Sequence, residues 1–121
     1  MKDPFYKSLG YAINGIKTCI QKERNIKIHL FVMGCVIVCG FLLKISIIQW
    51  MICLLLFALV IGLELVNTAI EAVVDLCSPT YHPLAKIAKD TAAGAVLVSA
   101  IFAAIIGLMI FVPRFFEIVF Q

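Results

Sequence analysis

The stretch GLELVNTAIEAVVDL, residues 62–76, continues an apolar run that begins near Ser46 and is broken only by Gln49. It looks like the end of a membrane-spanning helix, yet it carries Glu64, Asn67, Glu71 and Asp75. Successive helical residues turn by about 100°, so these four side chains fall within an arc of roughly 80° and form one polar stripe. A charge near the bilayer centre costs at least about 2.5–3.5 kcal/mol on insertion scales, so the stripe is expected to face protein, water or a metal ion. A merely solvated helix end is a fair alternative for Asp75. It is a weaker one for Glu64, about three turns deeper.

Working outward, the rest of the chain is built around membrane spans. Its 121 residues are 64% hydrophobic and 14% charged, and its mean hydropathy is +1.12. That balance, with the apolar residues gathered in long runs, predicts one all-α membrane-embedded domain, residues 1–121, with no extramembrane domain. Charges mark three spans, at about residues 28–43, 46–76 and 90–112. The first is short enough that Lys27 and Lys44 must snorkel toward the interfaces. Within the third, Ala92–Val112 is uninterrupted and covers roughly 31 Å at 1.5 Å per residue, enough to cross the hydrocarbon. Pro113 and Arg114 are expected to end it.

Residues 1–27 lack the apolar core and small-residue cleavage site of a signal peptide. Phe5, Leu9, Ile13, Ile16 and Ile20 recur at helical spacing, while Lys7, Asn14, Lys17 and Gln21 lie largely elsewhere. The pattern predicts an amphipathic interfacial helix over about residues 5–22. Eight of the ten Lys and Arg residues fall in the N-terminal segment and the loop Cys77–Lys89, leaving Lys44 and Arg114 for the other side. N-terminus and long loop should therefore be cytosolic and the C-terminus outside, as three spans require. The net charge of +3 serves topology and gives no reason to expect a nucleic-acid partner.

Several tempting motifs have plainer readings. Gly10 to Lys17 imitates a phosphate loop, but one residue too many precedes the lysine and no apolar strand leads into it. Cys19, Cys35, Cys39, Cys53 and Cys77 contain no C-x-x-C pair, so neither zinc nor disulfides are expected. Ala92, Ala95, Ser99, Ala103 and Gly107 give the third span a smooth face suited to a helix neighbour.

The acids carry the chemistry. Glu23, Lys89 and Asp90 should lie at the same depth as Glu71 and Asp75, so a polyanion could be held there with magnesium. Carboxylates give that cation hard oxygen ligands, and lysine can neutralise a phosphate. On residues alone, an acidic metal-binding interfacial site and a small proton or ion carrier both remain. A carrier needs acids spread across the membrane, and the outer halves of these spans hold none.

Glu64 to Asp75 read as E-x-x-N-T-A-I-E-x-x-V-D, followed by Tyr81-His82 and then by Ala88 to Val96 as A-K-D-x-A-A-G-A-V. This order resembles the prokaryotic diacylglycerol kinase family, over nearly the whole chain. The stretch YHPLAKIAKD is more similar to the Gram-positive branch, whose members act as undecaprenol kinases. The resemblance implies a homotrimer in the bacterial cell membrane that moves the γ-phosphoryl of ATP onto a lipid hydroxyl at the cytosolic interface, with Mg2+. The acceptor would be undecaprenol, with diacylglycerol the alternative. It also implies that Glu64 is the base, that Asn67 lies beside the transferred phosphate, and that Glu23 and Glu71 bind the metal. Tyr11, Tyr81, His82, Lys89 and Asp90 match nucleotide-side positions, with Lys89 facing phosphate and Asp75 orienting it. Two positions depart from the enterobacterial branch: Pro4 replaces a basic residue, and His29 an acid.

Overall fold

The computed structural model describes residues 4–121; Met1–Asp3, including Lys2 of the basic N-terminal set, lie outside the described residues. Four helices follow one another: α1 (Phe5–Lys22), α2 (Arg24–Leu43), α3 (Ile47–Cys77) and α4 (Pro83–Val119). The last three are long and apolar enough to cross a membrane.

A single residue separates α1 from α2. Glu23 takes an extended conformation, φ −102° and ψ 124°, while its N–H still donates to the Cys19 carbonyl. The chain thus turns without a loop and leaves the Glu23 carboxyl at the corner. Ile26, in the first turn of α2, is fully buried, and the Cys19 thiol lies 3.2 Å from Thr68 Oγ1, which docks α1 on α3.

The α2–α3 connection is a tight helical hairpin. Lys44 ends α2 in the left-handed region at φ 53°. Ser46 then starts α3 with a reciprocal cap: its Oγ accepts from Gln49 N–H at 3.2 Å while Gln49 Oε1 accepts from Ser46 N–H at 3.0 Å. Two of the otherwise unpaired donors at the helix start are satisfied this way, which explains the one polar residue in the apolar run. Gly40 is needed beside this turn. A Cβ there would stand 2.6 Å from Trp50 Cη2 and 2.7 Å from Cζ2, and the indole is a rigid plate already held against Phe41 at 4.9 Å between centroids. Gly40→Ala should therefore lower thermal stability in detergent by about 1–3 kcal/mol, the usual cost of overpacking. An unchanged melting temperature would show that Trp50 yields freely.

Helix α4 packs mainly on α3. His82 caps it by accepting from Leu84 N–H at 3.1 Å, and Pro83 occupies the first turn, where a missing N–H costs nothing. The helix does not stop at Pro113 and Arg114, against expectation; it continues to Val119 with Pro113 inside it. An interior proline removes its own backbone donor and crowds the carbonyl four residues back, a cost that membrane helices tolerate where neighbouring groups re-satisfy the backbone; Arg114 is held in place by donating Nε–H to the Leu43 carbonyl at 2.7 Å and Nη1–H to Glu117 at 3.1 Å. The same arginine thereby satisfies a carbonyl at the end of α2.

Burial is inverted relative to a water-soluble protein. Large apolar side chains such as Phe31, Leu55, Leu97 and Leu108 are exposed, whereas Glu64, Asn67 and Ser99 are buried. Helices apolar around most of their circumference, with polar groups turned inward, suit a lipid surround.

Candidate active site

Three elements meet around the polar stripe: the α1–α2 corner, the early turns of α2, and the second half of α3. Glu64 is completely buried, and neither carboxylate oxygen has a hydrogen-bond partner among the described residues. His29, on α2, brings Nε2 to 3.8 Å from Glu64 Oε2. One turn along α3, Asn67 is also buried and donates from Nδ2 to Glu71 Oε1 at 3.2 Å, leaving its own Oδ1 buried and without a partner among the described residues. Thr68 Oγ1 donates back to the Glu64 carbonyl at 3.1 Å, so it receives the Cys19 thiol as an acceptor. Buried acceptors without donors are costly. Three of them within one helical turn mark a place built for something that supplies positive charge or protons.

Glu23 joins this group from the corner. Burial first, then the negative charge of the nearby Glu71 carboxylate, holds the Glu23 carboxyl above the usual carboxylate range. The two acids are close enough to disturb each other, as ligands of one cation must be. Further along α3, Asp75 pairs with Lys89 of α4 at 2.5 Å, both partly exposed. Exposed pairs contribute little stability, about 0–1 kcal/mol, so this one matters for where it holds the ammonium.

The structure thus brings Glu64, Asn67, Glu71 and Glu23 together, and joins Asp75 to Lys89. It leaves the other expected positions apart from that cluster's hydrogen bonds. Tyr11 and Tyr81 are exposed, His82 is engaged in capping α4, and Asp90 pairs with Lys86 of its own helix at 2.5 Å. Thr68 and Cys19 are further neighbours of the site, and His29, which the sequence marks only as a departure from the enterobacterial pattern, stands beside Glu64. Thr68 lies one turn from Glu64 and could have been read from spacing; His29 could not, because its approach depends on how α2 packs on α3.

An oxygen-rich donor set of two adjacent carboxylates with unpartnered acceptors nearby fits a hard divalent cation, which commonly uses one or two carboxylates and fills the rest of its shell with phosphate and water. Among the described residues there is no cluster of three or more His, Cys, Asp or Glu side chains able to hold a metal unaided. A site completed by substrate phosphates is consistent with both facts. Beside it, between α3 and α4, runs an apolar groove of about 600 Å³ lined by Leu59, Leu63, Gly94, Val98 and Phe102.

Comparison with known proteins gives the family. A model of the prokaryotic diacylglycerol kinase family matches residues 10–111. The chain is 51% identical over 110 residues to the undecaprenol kinase of Bacillus subtilis, covering 91% of this chain and 89% of that one. It is 46% identical over 107 residues to a diacylglycerol kinase of Synechocystis, covering 88% of this chain and 61% of that longer relative. Against the diacylglycerol kinase of Escherichia coli K12 the identity is 31% over 99 residues, 82% of this chain and 81% of that one. With the family model covering residues 10–111 and relatives of this identity and extent, the chain belongs to the prokaryotic diacylglycerol kinase family.

Proposed function

We propose that this protein is an ATP- and Mg2+-dependent lipid kinase that phosphorylates undecaprenol at the cytosolic face of the bacterial membrane. The observation that carries this reading is the fully buried Glu64 carboxylate, unpartnered among the described residues and one turn from the Asn67–Glu71 pair. The 51% identity to an undecaprenol kinase supports the choice of acceptor. The charge distribution supports a cytosolic N-terminus and an external C-terminus. Helix α1, with its apolar stripe, would lie along the interface. Family membership supports a homotrimer, with lipid and neighbouring protomers covering the exposed apolar faces. The carrier reading has no comparable support.

In this mechanism the lipid alcohol enters sideways from the bilayer, its tail along the α3–α4 groove and its hydroxyl at Glu64. Glu64 takes the hydroxyl proton as the oxygen attacks the γ-phosphorus of ATP; the new O–P bond forms as the bond to the β-phosphate oxygen breaks, and ADP leaves. Asn67 orients the transferred phosphoryl group, and Lys89, held by Asp75, faces the polyphosphate. Glu23 and Glu71 would hold Mg2+, which when bound neutralises the phosphate oxygens. Tyr11, Tyr81, His82 and Asp90 lie on the nucleotide side. Phosphoryl transfer depends mainly on positioning and charge neutralisation, so a few acids and a lysine on short helices suffice without a nucleotide-binding domain.

The acceptor is tested by competition. With undecaprenol and diacylglycerol at equal mole fraction in proteoliposomes and labelled ATP, label should appear mainly on undecaprenol. Apolar grooves discriminate tails by about 1–3 kcal/mol, roughly 10- to 200-fold, so some phosphatidic acid is expected too. A preference for diacylglycerol would reassign the acceptor and leave the kinase standing. No labelled lipid of either kind would reinstate the carrier.

A further inference from the structure

Glu64 can accept a proton but has no evident way to dispose of it. Its side chain is 1% exposed, and its oxygens have no hydrogen-bond partner among the described residues. A base in that position fires once and then blocks the next turnover, unless the proton leaves by way of a neighbour. The charged groups around it are His29 on α2, Glu23 at the α1–α2 corner and Glu71 on α3; from α4, Lys89 faces Glu71 and Asp75. Of the three that surround Glu64, the two carboxylates are committed to cation binding in the proposed mechanism. His29 alone combines an acceptor nitrogen near Glu64, at 3.8 Å, with contact to the outside, its side chain being 22% exposed.

We infer that His29 relays the proton from Glu64 to the aqueous side and so resets the base after each transfer; this rests on the lipid-kinase reading above. The balance is simple. The lipid hydroxyl proton passes to Glu64 as the O–P bond forms. It then moves to His29 Nε2, and the imidazolium turns that edge to its exposed side and gives the same proton up to water, returning both side chains to their starting charge and the ring to its starting tautomer. The imidazole must carry its hydrogen on Nδ1 at the outset, the tautomer that leaves Nε2 free to accept. A separation of 3.8 Å exceeds a hydrogen bond, but catalytic hydrogen bonds are often long outside the reacting complex and shorten within it. At 22% exposure the His29 ring keeps one side open, which gives it room to turn between Glu64 and water. His29 is thus a positioning and relay residue that acts through Glu64; it need not touch the lipid.

The test uses the full-length protein in lipid nanodiscs with MgATP and undecaprenol. His29→Ala should lower kcat by roughly 10- to 100-fold, below the largest effects of losing a general acid–base group, with KM for ATP unchanged. Added imidazole should restore a substantial part of kcat, since a small diffusible base can occupy the space left. His29→Gln, which fills that space without a titrating ring, should show the same loss and no rescue. A normal kcat in either variant would overturn the relay. So would a loss in His29→Ala that imidazole does not relieve, or one accompanied by a parallel rise in KM, because those would mark His29 as a packing residue. If the unaltered protein labels no lipid, the kinase reading itself fails; wild-type turnover with unaffected variants sinks only the relay.

Discussion

Glu64→Gln is expected to reduce phosphoryl transfer by at least about 10²–10⁴-fold, the range for removing a general base, while MgATP affinity stays near that of the unaltered protein. The amide keeps the shape of the side chain and loses the ability to take a proton. Loss of folding will not explain the result. Glu64 is fully buried and its oxygens have no donor among the described residues, so a neutral amide removes the penalty of burying a charge, and the variant should melt at the same temperature or higher. Three measurements decide the matter together: kcat with a long-chain alcohol, nucleotide binding by calorimetry, and melting in detergent. Undiminished turnover would remove Glu64 from the proton-accepting role. A lowered melting temperature would show that the carboxylate has a stabilising partner in the assembled protein.

The polar stripe was legible in the sequence because it depends on one helix alone. Spacing along α3 fixes Glu64, Asn67, Glu71 and Asp75 to one face whatever packs against it, and the hydrogen bond from Asn67 to Glu71 is a consequence of that spacing. The site's other half depends on packing between helices, and there sequence reasoning reached less far. That Glu23 meets Glu71 follows from a one-residue corner between α1 and α2, and nothing in Lys22-Glu23-Arg24 announces a break, since no glycine or proline marks it. His29 reaches Glu64 only through the crossing of α2 on α3. Pro113 is misleading for a related reason: a proline's local cost suggests a helix end, while the contacts that hold the chain there, Arg114 to Leu43 and Glu117, lie partly on another helix. The Ala92–Gly107 face shows the same limit. Ser99 is buried within the protomer while Ala95 is exposed, and a Cβ at Gly107 would meet nothing within 4 Å. Small residues at helical spacing signal close approach by a neighbour, but they do not say whether that neighbour belongs to the same chain.

Glu71→Gln should weaken Mg2+-dependent nucleotide binding by about 10- to 100-fold or more, since disturbing even the supporting partners of a metal ligand costs that much. It should also change the way binding depends on pH. In the proposed site the cation needs Glu23 as a carboxylate, and burial together with the nearby Glu71 holds its carboxyl above the usual range. Protons therefore compete with the cation, and affinity should fall as pH drops through the raised value. The effect on folding has the opposite sign. An acid whose folded value is raised keeps its proton where the unfolded chain has lost it, so without metal the contribution of Glu23 to stability is present at low pH and lost as pH rises. Replacing Glu71 by a neutral amide removes the repulsive neighbour, though not the burial, and shifts the Glu23 carboxyl back toward its ordinary range. The variant should thus bind MgATP weakly near neutral pH yet lose less of that binding on acidification, so that the two affinity curves converge as pH falls. Calorimetric titrations across a pH series would show this directly. Parallel curves would mean that Glu71 does not set the charge state of Glu23, and identical affinities at neutral pH would mean that Glu71 does not bind the cation.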